Sequence, residues 1–217
     1  MEIAKQIGLS PSTTLRLLNT LEQNNYLFRD SKDSRYYLGF RLVQISMWAY
    51  SQVDVCRIAR PHLEQLTKDF DESSGLYVVQ GSRRVCVARI ESERTLRRVV
   101  NIGTDLSLTR GASGHMLMAH MPEETALDLL KGDPFYTIEQ LRETRCKGYC
   151  VSNGEREQGV MSVAAPVFDA TQGVAAALFI TGPSFRYSDE LVEQMIRDIV
   201  EHAAQISAEM GYQANDD

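Results

Sequence analysis

Cys146 and Cys150 stand four residues apart in CKGYC, and the nearest histidines along the chain, His115 and His120, lie in GHMLMAH. That thiol spacing spans one helical turn, but Gly148 between them is expected to end any helix first. It is not a standard zinc spacing, and no histidine lies beside it. The two histidines lack the HExxH order of a zinc protease helix. Ser113 in ASGHM superficially resembles a nucleophile turn, yet GxSxG is absent. No catalytic residue, metal site or cofactor is therefore expected. The enzymatic alternative that stays open is thiol redox chemistry through free cysteines.

A second set of residues is suited to a different chemistry. In IGLSPSTTLRLLNTLEQNNYLFRD, at positions 7–30, Ser12, Thr13, Arg16, Asn19 and Gln23 occupy the faces that Leu15, Leu18 and Leu21 leave free, with Thr14 near the boundary. The leucines, with Leu9 and Ala4, recur at helical spacing and are expected to face inward. Hydroxyls at a helix N-terminus approach phosphates, helped by free N–H groups there. Arg16 has the reach for a phosphate or a guanine edge. Lys32 and Arg35 fall at the tip of a following hairpin, placed for an adjacent groove or backbone. The bland alternative is a solvated helix face. The order of elements favours DNA, because such residues here lie on the second helix of a helix-turn-helix followed by a hairpin wing.

Local signals support those elements. EIAKQIG reads as a short helix ended by Gly8. Ser10 has N-cap character and Pro11 takes the first helical position. YLFRD and RYYLG flank the polar SKDS as hairpin strands. Phe40 to Gln52 reads as a helix with Leu42, Ile45 and Trp48 or Ala49 on one side. A further helix is expected from Val55 to Phe70, capped or kinked by Pro61. GLYVVQ, RVCVARIE and TLRRVVNI look like strands. SGHMLMAHM, PEETALDLLKG and TIEQLRETRCKGY look helical, the last closed by Gly148. MSVAAPVFD and GVAAALFITGP flank ATQ as a hairpin, and a long last helix starts at the N-cap Ser188. This mixture predicts an α+β fold with an antiparallel sheet covered by helices.

The chain has 217 residues and a net charge of −6, an unlikely total for a DNA binder. The charge is uneven. Residues 1–52 carry six Lys and Arg against four Asp and Glu, a balance of +2, and the remainder carries −8. A basic head on an acidic body fits two domains with different partners. No run of about 18 apolar residues marks a membrane span, and MEIAKQIGLS lacks the apolar stretch of a signal peptide. The four scattered cysteines do not form a secreted disulfide pattern, so a cytoplasmic protein is expected.

The whole resembles a known family. EIAKQIGLSPSTTLRLLNTLEQNNYLFRD followed by RYYLGFRLVQI is similar to the winged helix-turn-helix of the IclR (isocitrate lyase regulator) transcription factors. The resemblance continues through IARPHLEQL, GASGHMLMAHMPEE, KGYCVSNGEREQGVMSVAAPVFD and GVAAALFITGP. It implies a winged helix-turn-helix over 1–39, a linker helix over 40–53 and a GAF-like effector domain over 54–217. It also implies a double-stranded DNA operator and a homodimer or dimer of dimers, with Trp48 adding dimer contact. Such heads usually carry another helix ahead of EIA; without it, Leu15, Leu18 and Leu21 are expected to be partly uncovered.

The resemblance further implies a pocket for a small organic effector, a carboxylate or aromatic acid. Gly111, Ala112 and Ser113 match the loop that closes over the ligand, and Ser152, Ser162, Phe179 and Thr181 align with other lining positions. An acidic residue often replaces Ser152, a small polar one replaces Phe179, and a lysine stands where this sequence has His115. Phe179 is expected to shrink the pocket or supply a stacking face. Arg98 and Arg110 are candidates to neutralise an anion, against a plain reading as surface charge. The competing functional reading is a GAF-like sensor or thiol redox enzyme without DNA binding.

Overall fold

The computed structural model describes residues 2–51, 54–133 and 135–213, without the side chains of 46–51. The chain forms two compact units, residues 1–54 and 55–217.

In the first unit, α1 (Glu2–Gln6) and α2 (Pro11–Gln23) are followed by β1 (Leu27–Arg29), β2 (Tyr36–Leu38) and α3 (Phe40–Ser51). Gly8 turns the chain with φ +68°. Ser10 caps α2 by accepting the Thr13 N–H at 3.2 Å, and Pro11 opens the helix. The wing strands pair antiparallel, Leu27 opposite Leu38. Among the described residues of this unit, only Ala4, Thr14 and Gly39 are buried.

Two expectations need correction here. Thr14 does not belong to an exposed reading face. It is 5% exposed, and its hydroxyl donates to the Ser10 carbonyl at 3.0 Å. The inner stripe of α2 runs through Thr14 and the half-buried Leu18, whereas Leu15 and Leu21 are 53% and 40% exposed. A five-residue α1 and three-residue wing strands offer little surface to cover them. The expected role of Trp48 lies outside the described side chains.

The second unit is built on a six-stranded antiparallel sheet of order β5-β4-β3-β8-β7-β6. Its strands are β3 (Ser73–Gln80), β4 (Arg83–Ile90), β5 (Asp105–Ser107), β6 (Cys150–Asn153), β7 (Val160–Phe168) and β8 (Val174–Pro183). The helices are α4 (Val55–Phe70), α5 (Ala112–Ala119), α6 (Glu123–Gly132), α7 (Ile138–Lys147) and α8 (Asp189–Glu209). Alternation along each strand feeds two cores. Leu76, Leu178 and Ile180 pack with Leu63 and Leu66 of α4 and Met195 and Ile199 of α8. Tyr77, Ala177 and Phe179 pack with Met116 and Leu117 of α5 and Leu141 of α7. Covered on both faces, the strands read as unbroken apolar runs such as VAAALFI.

Local signals hold at α7, which has a Thr137–Gln140 capping box and a left-handed Gly148 cap, and at α8, where Ser188 caps the first turn. TLRRVVNI is not a strand. The sheet partner of β4 on that edge is β5, and residues 95–102 form a loop held by side chains: Arg186 donates to the Leu96 carbonyl at 2.8 Å and Arg89 to the Val100 carbonyl at 2.9 Å. The short β6 has no separate sequence signal. Pro61 lies inside α4 rather than at its start. No described helix is long and apolar enough to cross a membrane.

Gly75 fixes the sheet's contribution to the site. A Cβ there would fall 2.5 Å from the Ala88 carbonyl oxygen and 2.6 Å from the Phe179 ring. Gly75→Ala is therefore expected to lower stability by about 1–3 kcal/mol. Thermal denaturation checks this, and an unchanged melting temperature would contradict the packing described.

Candidate functional site

On the α5 side of the sheet lies a cavity of about 40 Å³. Tyr77 from β3, Arg84 from β4, Ser152 from β6, Ser162 from β7, and Phe179 and Thr181 from β8 line it. Gly111, Ala112 and Ser113 approach from the start of α5, while Arg98, Val100, Arg156 and Glu157 come from two loops. The structure thus brings together Arg98, Gly111, Ala112, Ser113, Ser152, Ser162, Phe179 and Thr181. Arg110 is the exception. Its guanidinium pairs with Asp133 at 2.8 Å and lies over the Phe135 ring at 4.0 Å, outside the cavity lining. Only its carbonyl serves the site, accepting from Arg84 Nη1 at 2.7 Å.

Arg84 is the functional candidate that sequence reasoning missed. It is 3% exposed, and its Nε is buried without a partner. No carboxylate among the described residues lies within ion-pair distance of it, and its guanidinium lies over the Tyr77 ring at 5.1 Å. Burial pushes its pKa down, the mark of a charge held away from water. Gly114 makes this placement possible, since a Cβ there would strike Arg84 Nη1 and the Leu108 carbonyl. The available signal was alternation. In β4, Arg84, Cys86 and Ala88 all point to buried surroundings, so an arginine occupies an inward position.

The other groups are donors, or are already engaged. Gly111 is the N-cap of α5 and has no side chain to cap it, which leaves the first-turn N–H groups of Ala112 and Ser113 without a side-chain acceptor. Among the described residues the hydroxyls of Ser113 and Ser152 make no hydrogen bond, whereas Ser162 donates to Thr181 at 3.0 Å and Thr181 to the Met161 carbonyl at 3.0 Å. Tyr77 stacks on one face of Phe179, ring centroids 4.7 Å apart, and both rings line the cavity. Arg98 pairs with Glu157 at 2.9 Å. His115 stacks on Tyr136 at 4.0 Å and meets the Thr144 hydroxyl at 3.1 Å, away from the cavity lining.

On the head, Ser12, Arg16, Asn19, Lys32 and Arg35 are exposed and Thr13 is half-buried. Ser12 and Thr13 hydroxyls meet the Ser10 hydroxyl at 3.1 and 2.8 Å, so the N-terminal turn of α2 is ordered by its own side chains. Among the described residues the Arg16 guanidinium makes no ion pair. Lys32 and Arg35 sit at the wing tip, which Asp30 and Asp33 shape by accepting the N–H groups of Lys32 and Arg35 at 2.7 and 2.9 Å.

A helix-turn-helix with a wing in one unit, and a helix-covered sheet with a small cationic pocket in the other, define a ligand-responsive DNA-binding regulator. The comparisons agree. Residues 47–208 match the model described as bacterial transcriptional regulator IclR C-terminal, and residues 1–31 match the IclR helix-turn-helix domain; the chain belongs to the IclR family. The HTH-type transcriptional regulator KipR of Bacillus subtilis is 26% identical, covering 97% of this chain and 89% of its own length. The crystal structure of Thermotoga maritima IclR is 28% identical with a TM-score of 0.68, covering 97% of this chain and 90% of that one. Pseudomonas aeruginosa HmgR is 26% identical with a TM-score of 0.76, covering 99% and 90%.

Three histidines of the second unit, His115, His120 and His202, have pKa values lowered chiefly by burial, His120 from 6.5 to about 4. The unfolded chain then binds more protons than the folded one between those values. Stability should be full above about pH 6.5 and fall as pH drops toward about 4. Melting temperatures measured across that range check the sign. His120→Leu should flatten the slope, and a melting temperature that rises on acidification would contradict it.

Proposed function

We propose that the chain binds an operator as a dimer and that a short aliphatic carboxylate in the pocket sets its affinity for that operator. One observation carries the ligand class: Arg84 is buried beside the cavity with an unpartnered Nε and no carboxylate in contact. An isolated buried charge is costly, and an anionic ligand offsets that cost. The open first turn of α5 and the free Ser113 and Ser152 hydroxyls supply further donors. Size favours an aliphatic acid. The cavity of about 40 Å³ is far below the roughly 150 Å³ that admits benzene, and Tyr77 occupies one face of Phe179.

The head is read as the DNA-binding part. Ser12, Thr13, Arg16 and Asn19 are assigned to the groove and its phosphates, and Lys32 and Arg35 to the flanking backbone. Thr14 is assigned to the core of the head. The dimer is attributed to α3 and its neighbours, and a dimer of dimers extends it. Ligand binding acts by favouring one of two placements of the heads. The thiol enzyme reading loses support from geometry. Cys146 is exposed at the end of α7, while Cys150 is buried on β6 with its pKa pushed up to about 12, a poor nucleophile.

Two measurements test this reading. In a thermal-shift assay, acetate or lactate should stabilise the wild type, and benzoate should not. Arg84→Met should abolish the shift without lowering the ligand-free melting temperature, since the charge it removes has no carboxylate partner to leave unpaired; Arg110→Met should keep the shift. A structural arginine would give the opposite: lower stability and an intact shift. On DNA from the chain's own upstream region, Arg16→Ala should weaken binding by roughly tenfold and reduce the salt slope by about one. Unchanged binding at fixed salt would remove Arg16 from the interface.

A further inference from the structure

The loop between β6 and β7, residues 154–159, carries Glu157 into the cavity lining and Glu155 to the backbone at the start of α5, outside that lining. The Glu155 side chain accepts the Gly111 N–H at 3.0 Å, at the very start of α5, and also accepts the Tyr136 hydroxyl. Glu157 holds Arg98 at 2.9 Å and Arg156 at 3.6 Å, and all three line the cavity. Arg84, at the floor, has an unpartnered buried Nε. Every other cation of the cavity is therefore met by the chain's own carboxylate, delivered from one loop.

The turn of that loop is exposed at residues 157–159, while its far end is tied to the segment after β8, the Gly159 carbonyl accepting the Ser184 N–H at 2.8 Å. Gly154 and Gly159 bound it, both with positive φ (+73° and +79°), and neither has any atom within 4 Å of a would-be Cβ. The Gly154 N–H donates to the Val160 carbonyl at 2.8 Å, closing the hairpin below the two glutamates. The Glu157 side chain is half exposed (52%), whereas its partner Arg98 is largely buried (17%). Water therefore reaches the pair from the Glu157 side and screens it there.

We propose that the 154–159 loop is a built-in competitor for the effector pocket: Glu155 and Glu157 occupy donors that a ligand carboxylate takes over, so ligand entry and loop release are one event. The proposal rests on the reading of the pocket as a carboxylate site. It accounts for a cavity that is small in this structure, because a ligand gains room as the loop leaves. It also makes the loop, and not the sheet, the part of the pocket whose position reports occupancy. A ligand that displaces a resident carboxylate binds more weakly than it would to an empty site, by the free energy of the contacts it breaks.

The test uses the full chain with Glu155→Gln, Glu157→Gln and the double substitution. These keep side-chain shape and remove the charge. Acetate and lactate are titrated calorimetrically, and amide hydrogen exchange is followed over residues 154–159. The double variant should bind lactate roughly tenfold tighter than wild type. Its loop should exchange faster without ligand, as the wild-type loop does when lactate is saturating. Equal or weaker lactate binding in the variants, or a loop that lactate protects in the wild type, overturns the competitor. Arg84→Met separates the two claims. If it abolishes lactate binding while the glutamate variants match wild type, the pocket reading stands and the competitor falls. If neither acetate nor lactate binds any form, the double variant included, both fall.

Discussion

One arginine side chain is buried beside the cavity of the second unit. Arg84 sits inside the sheet-and-helix layer with its charge unmatched at contact distance. Burial of that kind is unfavourable unless surrounding groups hold the guanidinium and a counter-charge reaches it. The chain provides the holding: the Arg110 carbonyl accepts Nη1, Tyr77 lies beneath the guanidinium at 5.1 Å, and Gly114 withholds the side chain that would displace it. The counter-charge at contact distance is what the folded chain leaves to a ligand. The neighbouring sites, by contrast, are satisfied internally, Arg98 by Glu157 and the Gly111 amide by Glu155.

The two faces of the sheet divide the labour. The α4 and α8 face is a continuous apolar core, from Leu63 and Leu66 to Met195 and Ile199, and holds the unit together. The α5 and α7 face interrupts its core with Arg84, Ser113, Ser152 and Thr181, all buried. Alternation along β8 lets one strand serve both: Leu178 and Ile180 turn to the core, while Phe179 and Thr181 turn to the cavity. Stability and ligand response can therefore change separately, because neighbouring residues on one strand belong to different faces.

Much of this was legible where the determining chemistry is local. Gly8, Ser10 and Pro11 mark the turn and the start of α2, Gly148 closes α7, Ser188 opens α8, and the apolar runs on either side of ATQ become the β7–β8 hairpin. The errors arose where the deciding contact is distant. The leucine pattern placed Leu15 and Leu21 inside, but the stripe that packs passes through Thr14, one position away. TLRRVVNI has the β-branched residues of a strand, yet among the described residues no strand pairs with it, and Arg186 and Arg89 hold it as a loop instead. Arg110 and Arg84 were equally plausible anion ligands by type. Asp133 and Phe135 draw one away, and Gly114 admits the other. None of those partners is visible from either arginine's sequence neighbourhood.

The central claim is that an anion at Arg84 governs the affinity of the head for DNA. Linkage makes this directly measurable, because a ligand that changes operator affinity must act through the residue that binds it. Fluorescence anisotropy of labelled DNA from the chain's own upstream region, titrated with protein at fixed salt with and without saturating lactate, is the decisive measurement. The account predicts that lactate changes the wild-type operator Kd by at least about fivefold, and leaves that of Arg84→Met unchanged. An equal lactate response in both proteins would contradict it.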